Sequence, residues 1–158
     1  MIKLFALDID GTLTDDAVYM DGKGGELKRF SVRDGYGIVM LKNAGIKIAF
    51  ISGRYSAATQ QRADNLKIDA CINGTQHKLH DLKELAAKWN ITQDEIAYAG
   101  DDIPDIECLS WSKLGMTPAN ASCPAKESAD WISAFDGGFG AVREMAEKIL
   151  DFNESEKR

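Results

Sequence analysis

An α/β fold, with a parallel sheet sandwiched by helices, is what this sequence predicts, on three observations. Short apolar runs alternate with longer amphipathic segments along most of the 158 residues. The runs IKLFALDI (2–9) and IKIAFIS (46–52) are nearly continuous in apolar residues, as strands buried on both faces must be. Carboxylates, a hydroxyl, an arginine and a lysine fall just past the ends of such runs, where ligands meet an open parallel sheet.

The elements follow in order. The first strand (2–9) runs into DIDGT. GKGG, set between AVYMD and ELKRFSV, bends residues 17–32 into a β-hairpin. GYGIVMLKNAG (35–45) reads as a helix that stops at Gly45. The strand 46–52 comes next, then helical spacing over 55–66 and a short strand IDACI (68–72). Thr75 opens a helix that lines up Leu79, Leu82, Leu85, Ala86 and Trp89 on one face. Thr92 and Glu95 make a capping-box pattern before EIAYAG, read as a helical turn feeding a strand. Residues 102–110 are helical, KLGMT (113–117) and ADWIS (129–133) are short strands, and GAVREMAEKIL (140–150) is a closing helix. DFNESEKR is polar and expected to fray. The expectation is one domain over 1–152 with a polar tail at 153–158. Trp89, Trp111 and Trp131 are expected in the core, and His77 and His80 as surface or packing residues.

A net charge of −6 with no basic stripe excludes nucleic acid as a partner. No apolar run is long enough to cross a bilayer, and the chain starts directly on a strand without a leader. Cys71, Cys108 and Cys123 form no CxxC pair, which fits reduced thiols in the cytoplasm.

The strand ends carry the chemistry: DIDGT (8–12), SGR (52–54), NGTQHK (73–78) and GDDIPD (100–105). Carboxylates gathered at one edge repel each other and call for a divalent cation, and an all-oxygen donor set selects Mg²⁺ over zinc. Mg²⁺ beside Lys and hydroxyl groups points to phosphoryl transfer. Asp8 can attack phosphorus, and Asp10, two residues on along an extended segment, projects on the same side as a proton donor and acceptor. Ser52 and Gly53 can hold phosphate oxygens, and Lys78 can neutralise them.

These four stretches, in this order and spacing, resemble the four motifs of the haloacid dehalogenase phosphatase superfamily, and the resemblance covers nearly the whole chain. It implies Asp8 as nucleophile, Asp10 as acid and base, and Ser52 and Lys78 as phosphoryl ligands. It implies Mg²⁺ held by Asp8, Asp101 and the Asp10 carbonyl, with Asp102 and Asp105 in support. Larger members insert a cap domain, but residues 16–32 suffice only for a hairpin flap, and residues 55–77 leave no room for another domain. The expected architecture is therefore a Rossmann-like sheet without a cap.

KRFSVRDGYGI (28–38), NGTQHKL (73–79), GDDIPDI (100–106) and GGFGAVRE (137–144) resemble the capless sugar-acid phosphatases. That subgroup implies a homotetramer in which a neighbour acts as the lid. It also implies a step towards the lipopolysaccharide inner core, with 3-deoxy-D-manno-octulosonate 8-phosphate as substrate. Sister activities take 2-keto-3-deoxynononate 9-phosphate or N-acylneuraminate 9-phosphate. Arg54, where the 2-keto-3-deoxynononate relative tends to carry Glu, favours the octulosonate and can pair with its carboxylate. The resemblance places Arg143 and the 137–140 segment in a tail reaching a neighbouring site. Asp34 is expected either to touch substrate or to cap a helix. Asp16 replaces the usual glycine after LTD and is read as a solvated hairpin residue. Two further classes were open. A phosphoacceptor switch would need Asp where Asn73 stands, and an inactive scaffold would not need the full set of acids.

Overall fold

The computed structural model describes residues 1–158. The elements are β1 (Leu4–Leu7), β2 (Tyr19–Met20), β3 (Glu26–Leu27), α1 (Val32–Asn43), β4 (Lys47–Ser52), α2 (Ala57–Leu66), β5 (Ala70–Asn73), α3 (Lys78–Lys88), β6 (Ile96–Ala99), α4 (Ile106–Trp111), β7 (Leu114–Thr117), α5 (Cys123–Ser128), β8 (Trp131–Ile132) and α6 (Ala141–Ser155).

Six parallel strands pair in the order β5-β4-β1-β6-β7-β8. β1 sits inside the sheet because every residue in it is apolar and wants cover on both faces. Phe5 and Leu7 join Ile48 and Phe50 against α1 and α6, packing on Ile38, Leu41, Met145 and Ile149. Leu4 and Ala6 point the other way, with Ala49, Ile51 and Tyr98, against Leu82, Leu85 and Leu109 of α3 and α4. Full burial of each large side chain contributes about 1.5–3 kcal/mol. Leu7 stands opposite both Phe50 and Ala99, so β1, β4 and β6 end nearly in step and deliver their following residues to one edge. No helix is long and apolar enough to cross a membrane.

The hairpin follows β1 directly, as expected, but its ladder is only Tyr19 opposite Leu27 and Met20 opposite Glu26. No cap domain interrupts the chain. Four local expectations need correction. α3 begins at Lys78 because Thr75 makes a turn of its own, accepting from His77 N at 3.0 Å and donating to Asp81. α5, opened by Pro124, lies where no helix was expected. The three tryptophans are half-buried at the rim, with Lys47, Lys83 and Lys148 over their rings at 4.9, 5.4 and 5.9 Å. Finally, α6 continues to Ser155, past the expected end at 150 and into the tail drawn at 153–158. Asn153 is buried there, accepting from Ile2 N at 2.6 Å and donating to Ile2 O at 2.9 Å.

Candidate active site

One half of the site is built on the sheet. Asp8 N donates to Ala99 O at 2.9 Å, so the β ladder holds the backbone of Asp8, whose side chain is buried. Lys78, the first residue of α3, donates from Nζ to Asp8 Oδ1 at 2.7 Å and to Asp105 Oδ1 at 2.8 Å. Tyr98 OH donates to the same Asp105 oxygen at 2.7 Å. Asp105 Oδ2 accepts from Asp101 N at 3.0 Å and Asp102 N at 3.3 Å, so both of its oxygens are engaged. Asp102 caps the following turn by accepting from Ile103 N at 2.8 Å. Asp101 accepts from Thr12 Oγ1 at 3.0 Å and lies flat against Gly11. Gly11 has φ +90°, and a Cβ there would stand 2.2 Å from Asp101 Oδ2, so only glycine fits.

Crowding shows in the titration of this half. Burial raises the Asp8 carboxyl, the charge of Asp105 raises it further, and Lys78 opposes both. Burial, then the neighbouring Asp8, raises Asp101. Burial alone would depress Lys78, but Asp8 and Asp105 outweigh it and hold the ammonium charged. Carboxylate oxygens of Asp8, Asp101 and Asp105 lie within 4.8 Å of one another. Close, buried, all-oxygen and repelling, this set suits a hard divalent cation. With Asp105 engaged, Asp8 and Asp101 are the carboxylates left to hold one.

The other half is built on the hairpin. Lys28, whose side chain is wholly buried, donates to Asp10 Oδ1 at 2.7 Å and to Thr59 Oγ1 at 3.3 Å. Arg54 donates from Nη1 to Glu26 Oε2 at 2.6 Å, and its Nη2 stands 3.9 Å from Asp10 Oδ2. A cavity of about 500 Å³ opens between the halves. Asp8, Asp10, Gly53, Arg54, Lys78 and Asp101 line it, and almost no apolar side chain does. Such a lining suits a polar, anionic ligand.

The structure brings most of the expected residues to this cavity and leaves Ser52, Asp34 and Arg143 off its lining. Ser52 does not line the cavity: it is buried, and its Oγ donates to Arg54 O at 2.9 Å, shaping the SGR loop. Asp34 caps α6 from α1, accepting from Arg143 N at 3.0 Å and Gly140 N at 3.4 Å. Arg143 pairs with Glu147 at 2.6 Å and lies 5.5 Å over the Tyr36 ring, so neither Asp34 nor Arg143 lines this chain's cavity. The 137–140 segment packs on its own chain: a Cβ on Gly137 would stand 2.0 Å from Gly11 O, and one on Gly138 would stand 2.5 Å from Asp15 N. Asp16 is exposed but lines the cavity in the left-handed conformation, φ +69°, which glycine adopts without strain. Its partial burial, then Asp10 and Asp102, raise its carboxyl. His77 and His80 are exposed.

Lys28, Thr59 and Tyr98 escaped the sequence reading. The signal for Lys28 was the strand period of two. Glu26 and Lys28 face inward, while Leu27 between them is 72% exposed.

A family profile described as haloacid dehalogenase-like hydrolase matches residues 72–142. The 3-deoxy-D-manno-octulosonate 8-phosphate phosphatase of Escherichia coli (strain K12) is 37% identical over 149 residues, covering 94% of this chain and 79% of the relative. The crystal structure of 3-deoxy-D-manno-octulosonate 8-phosphate phosphatase from Moraxella catarrhalis, in complex with magnesium ion, phosphate ion and KDO, matches with a TM-score of 0.92 at 41% identity, over 95% of this chain and 86% of that one. The cobalt-bound deoxy-D-mannose-octulosonate 8-phosphate phosphatase from Haemophilus influenzae matches with a TM-score of 0.91 at 35% identity, over 95% and 88%.

Proposed function

The chain belongs to the haloacid dehalogenase-like hydrolases, and on that premise we propose that it is a Mg²⁺-dependent phosphatase acting on 3-deoxy-D-manno-octulosonate 8-phosphate. The products are the free sugar acid and phosphate. The observation that carries the reading is the Lys78 ammonium bridging Asp8 and Asp105 next to Asp101 at the carboxyl edge of the sheet.

Asp8 is the nucleophile. Its carboxylate oxygen bonds to phosphorus as the bond from phosphorus to the sugar oxygen breaks. Asp10 gives its proton to that sugar oxygen, then takes one from the water that opens the aspartyl phosphate and restores Asp8. Lys78 balances charge as it moves between Asp8 and the phosphoryl group, and Asp105 with Tyr98 fixes Lys78 in place. Asp8, Asp101 and the Asp10 carbonyl would hold the cation, whose chemistry here is to screen the carboxylates and polarise phosphoryl oxygens. Gly53 lets the phosphate approach backbone. Arg54, held by Glu26 at the cavity wall, faces the carboxylate of the sugar acid.

A second copy of the chain completes the site. The hairpin exposes Tyr19, Met20 and Leu27 at 53%, 79% and 72%, beside a polar cavity with no cap of its own. Both features support a homotetramer in which a neighbour excludes water. A sedimentation profile of a stable, fully active monomer would remove this part. The free thiols of Cys71, Cys108 and Cys123 support a cytoplasmic setting.

The test is phosphate release at fixed Mg²⁺, with an EDTA control. The panel is 3-deoxy-D-manno-octulosonate 8-phosphate, 2-keto-3-deoxynononate 9-phosphate, N-acetylneuraminate 9-phosphate, hexose phosphates and an aryl phosphate. Strong preference for the octulosonate supports the full reading. Preference for a nine-carbon ester reassigns the substrate, broad weak activity removes the pathway, and no EDTA-sensitive release leaves a scaffold.

A further inference from the structure

We propose that Lys28 is the positioning residue for Asp10, and that through it the hairpin orients the proton-transfer carboxylate. This rests on the phosphatase reading above and deepens it. A lysine ammonium taken wholly out of water is costly unless paired, and its partners here are Asp10 Oδ1 at 2.7 Å and Thr59 Oγ1 at 3.3 Å. Thr59 belongs to α2, so Lys28 is braced between the hairpin, the loop after β1 and a helix of the main fold.

Asp10 has no other close hydrogen bond to its side chain. Its second oxygen, Oδ2, makes no hydrogen bond, and its ion-pair partner is the Arg54 guanidinium at 3.9 Å. Pinning Oδ1 therefore dedicates Oδ2 to the substrate. In the first half-reaction the proton on Oδ2 passes to the sugar oxygen. That oxygen's bond to phosphorus breaks as the bond from Asp8 forms. Without Lys28 the carboxylate turns about its own side-chain bonds, and a misplacement of about 1 Å from a group outside the reacting atoms can cost roughly 10²-fold in rate.

The leaving group separates orientation from mere structure. A sugar alkoxide is a poor leaving group and needs the proton of Asp10, whereas p-nitrophenolate departs without it. The experiment compares kcat/KM of the full chain and its Lys28→Met and Lys28→Arg variants at fixed Mg²⁺. The substrates are 3-deoxy-D-manno-octulosonate 8-phosphate and p-nitrophenyl phosphate, with thermal melts alongside. Lys28→Met is expected to lose on the order of 10²-fold on the sugar ester and less than about tenfold on the aryl ester, and Lys28→Arg to recover most of the sugar-ester rate. Equal losses on both esters, or none on either, would overturn the proposal. Should Lys28→Met fail to fold, Thr59→Val and Lys28→Arg carry the test. A Thr59→Val loss confined to the sugar ester supports the role, and an equal loss on both overturns it. A parent chain that releases no phosphate from either ester sinks the phosphatase reading and Lys28 with it. A working parent with equal losses sinks Lys28 alone.

Discussion

Asp8 and Asp10 are two residues apart and live in different worlds. Asp8 is an extension of the sheet: its amide continues the ladder to Ala99, and its carboxylate meets a lysine braced by Asp105 and Tyr98. Asp10 belongs to the hairpin side, where Lys28 holds it and Arg54, tied to Glu26, stands near. The sheet half is buried and densely charged. The hairpin half has a ladder of two residue pairs, a bridge between Thr14 and Phe30 at its base, and side-chain ties to the main fold such as Lys28 to Thr59. On the proposed mechanism this difference would divide the two tasks of the reaction, with bond formation to phosphorus on the sheet half and proton handling on the hairpin half.

The largest effect should come from the sheet half. Asp8→Asn is expected to lower phosphate release by at least about 10⁴-fold while circular dichroism stays unchanged. Retained activity would place the nucleophile elsewhere and collapse the division. Lys78→Ala strips the cation from two buried carboxylates and should lower unfolding free energy by about 3–5 kcal/mol in denaturant titrations. A surface-like loss below about 1 kcal/mol would show that this buried ion network adds little to stability.

A pH series sharpens the contrast further. Asp8 and Asp101 have raised carboxyl pKa values, so the folded chain keeps protons that the unfolded chain has released. In EDTA their contribution is most favourable at low pH, and stability falls as pH rises towards about 9, the value for Asp101. Added Mg²⁺ should flatten this slope in thermal melts, and a slope unchanged by Mg²⁺ would remove the cation from this half. The smallest effect belongs to the hairpin half. Arg54→Ala should lose about tenfold or more on sugar-acid phosphates, as one charge-assisted hydrogen bond is worth, and clearly less on an aryl phosphate. Equal losses would move Arg54 from the substrate carboxylate to the phosphate.

The same division separates what was legible from what was not. The parallel sheet and the positions of Asp8, Asp101 and Asp105 follow from apolar runs that end in polar residues, and the absent cap follows from the short insertions at 16–32 and 55–77. A strand end is a local signal, and the sheet turns it into a place. Lys28 carried only the weak period-two signal of a two-residue strand, and its partners Asp10 and Thr59 are remote in sequence. Asp34 was open between substrate contact and helix cap, and it is a cap, but of α6 across more than one hundred residues of chain, a pairing that local sequence does not reveal. Ser52 lies at the expected strand end, yet its hydroxyl turns back to Arg54 O, a rotamer choice that spacing does not reveal. Asn153 was hidden in a polar stretch because one inward side chain does not change its average character.

The contact of Gly137 and Gly138 with the 11–15 loop bears on how the protein is made. β1 precedes both strands it pairs with, β4 and β6, and Ile2 just before it bonds to Asn153. The loop carrying the two aspartates gains its backing only when the glycines near the end of the chain arrive. A product cut short before residue 137 would lack both this backing and α6, whose Met145 and Ile149 share the core with Phe5 and Leu7 of β1.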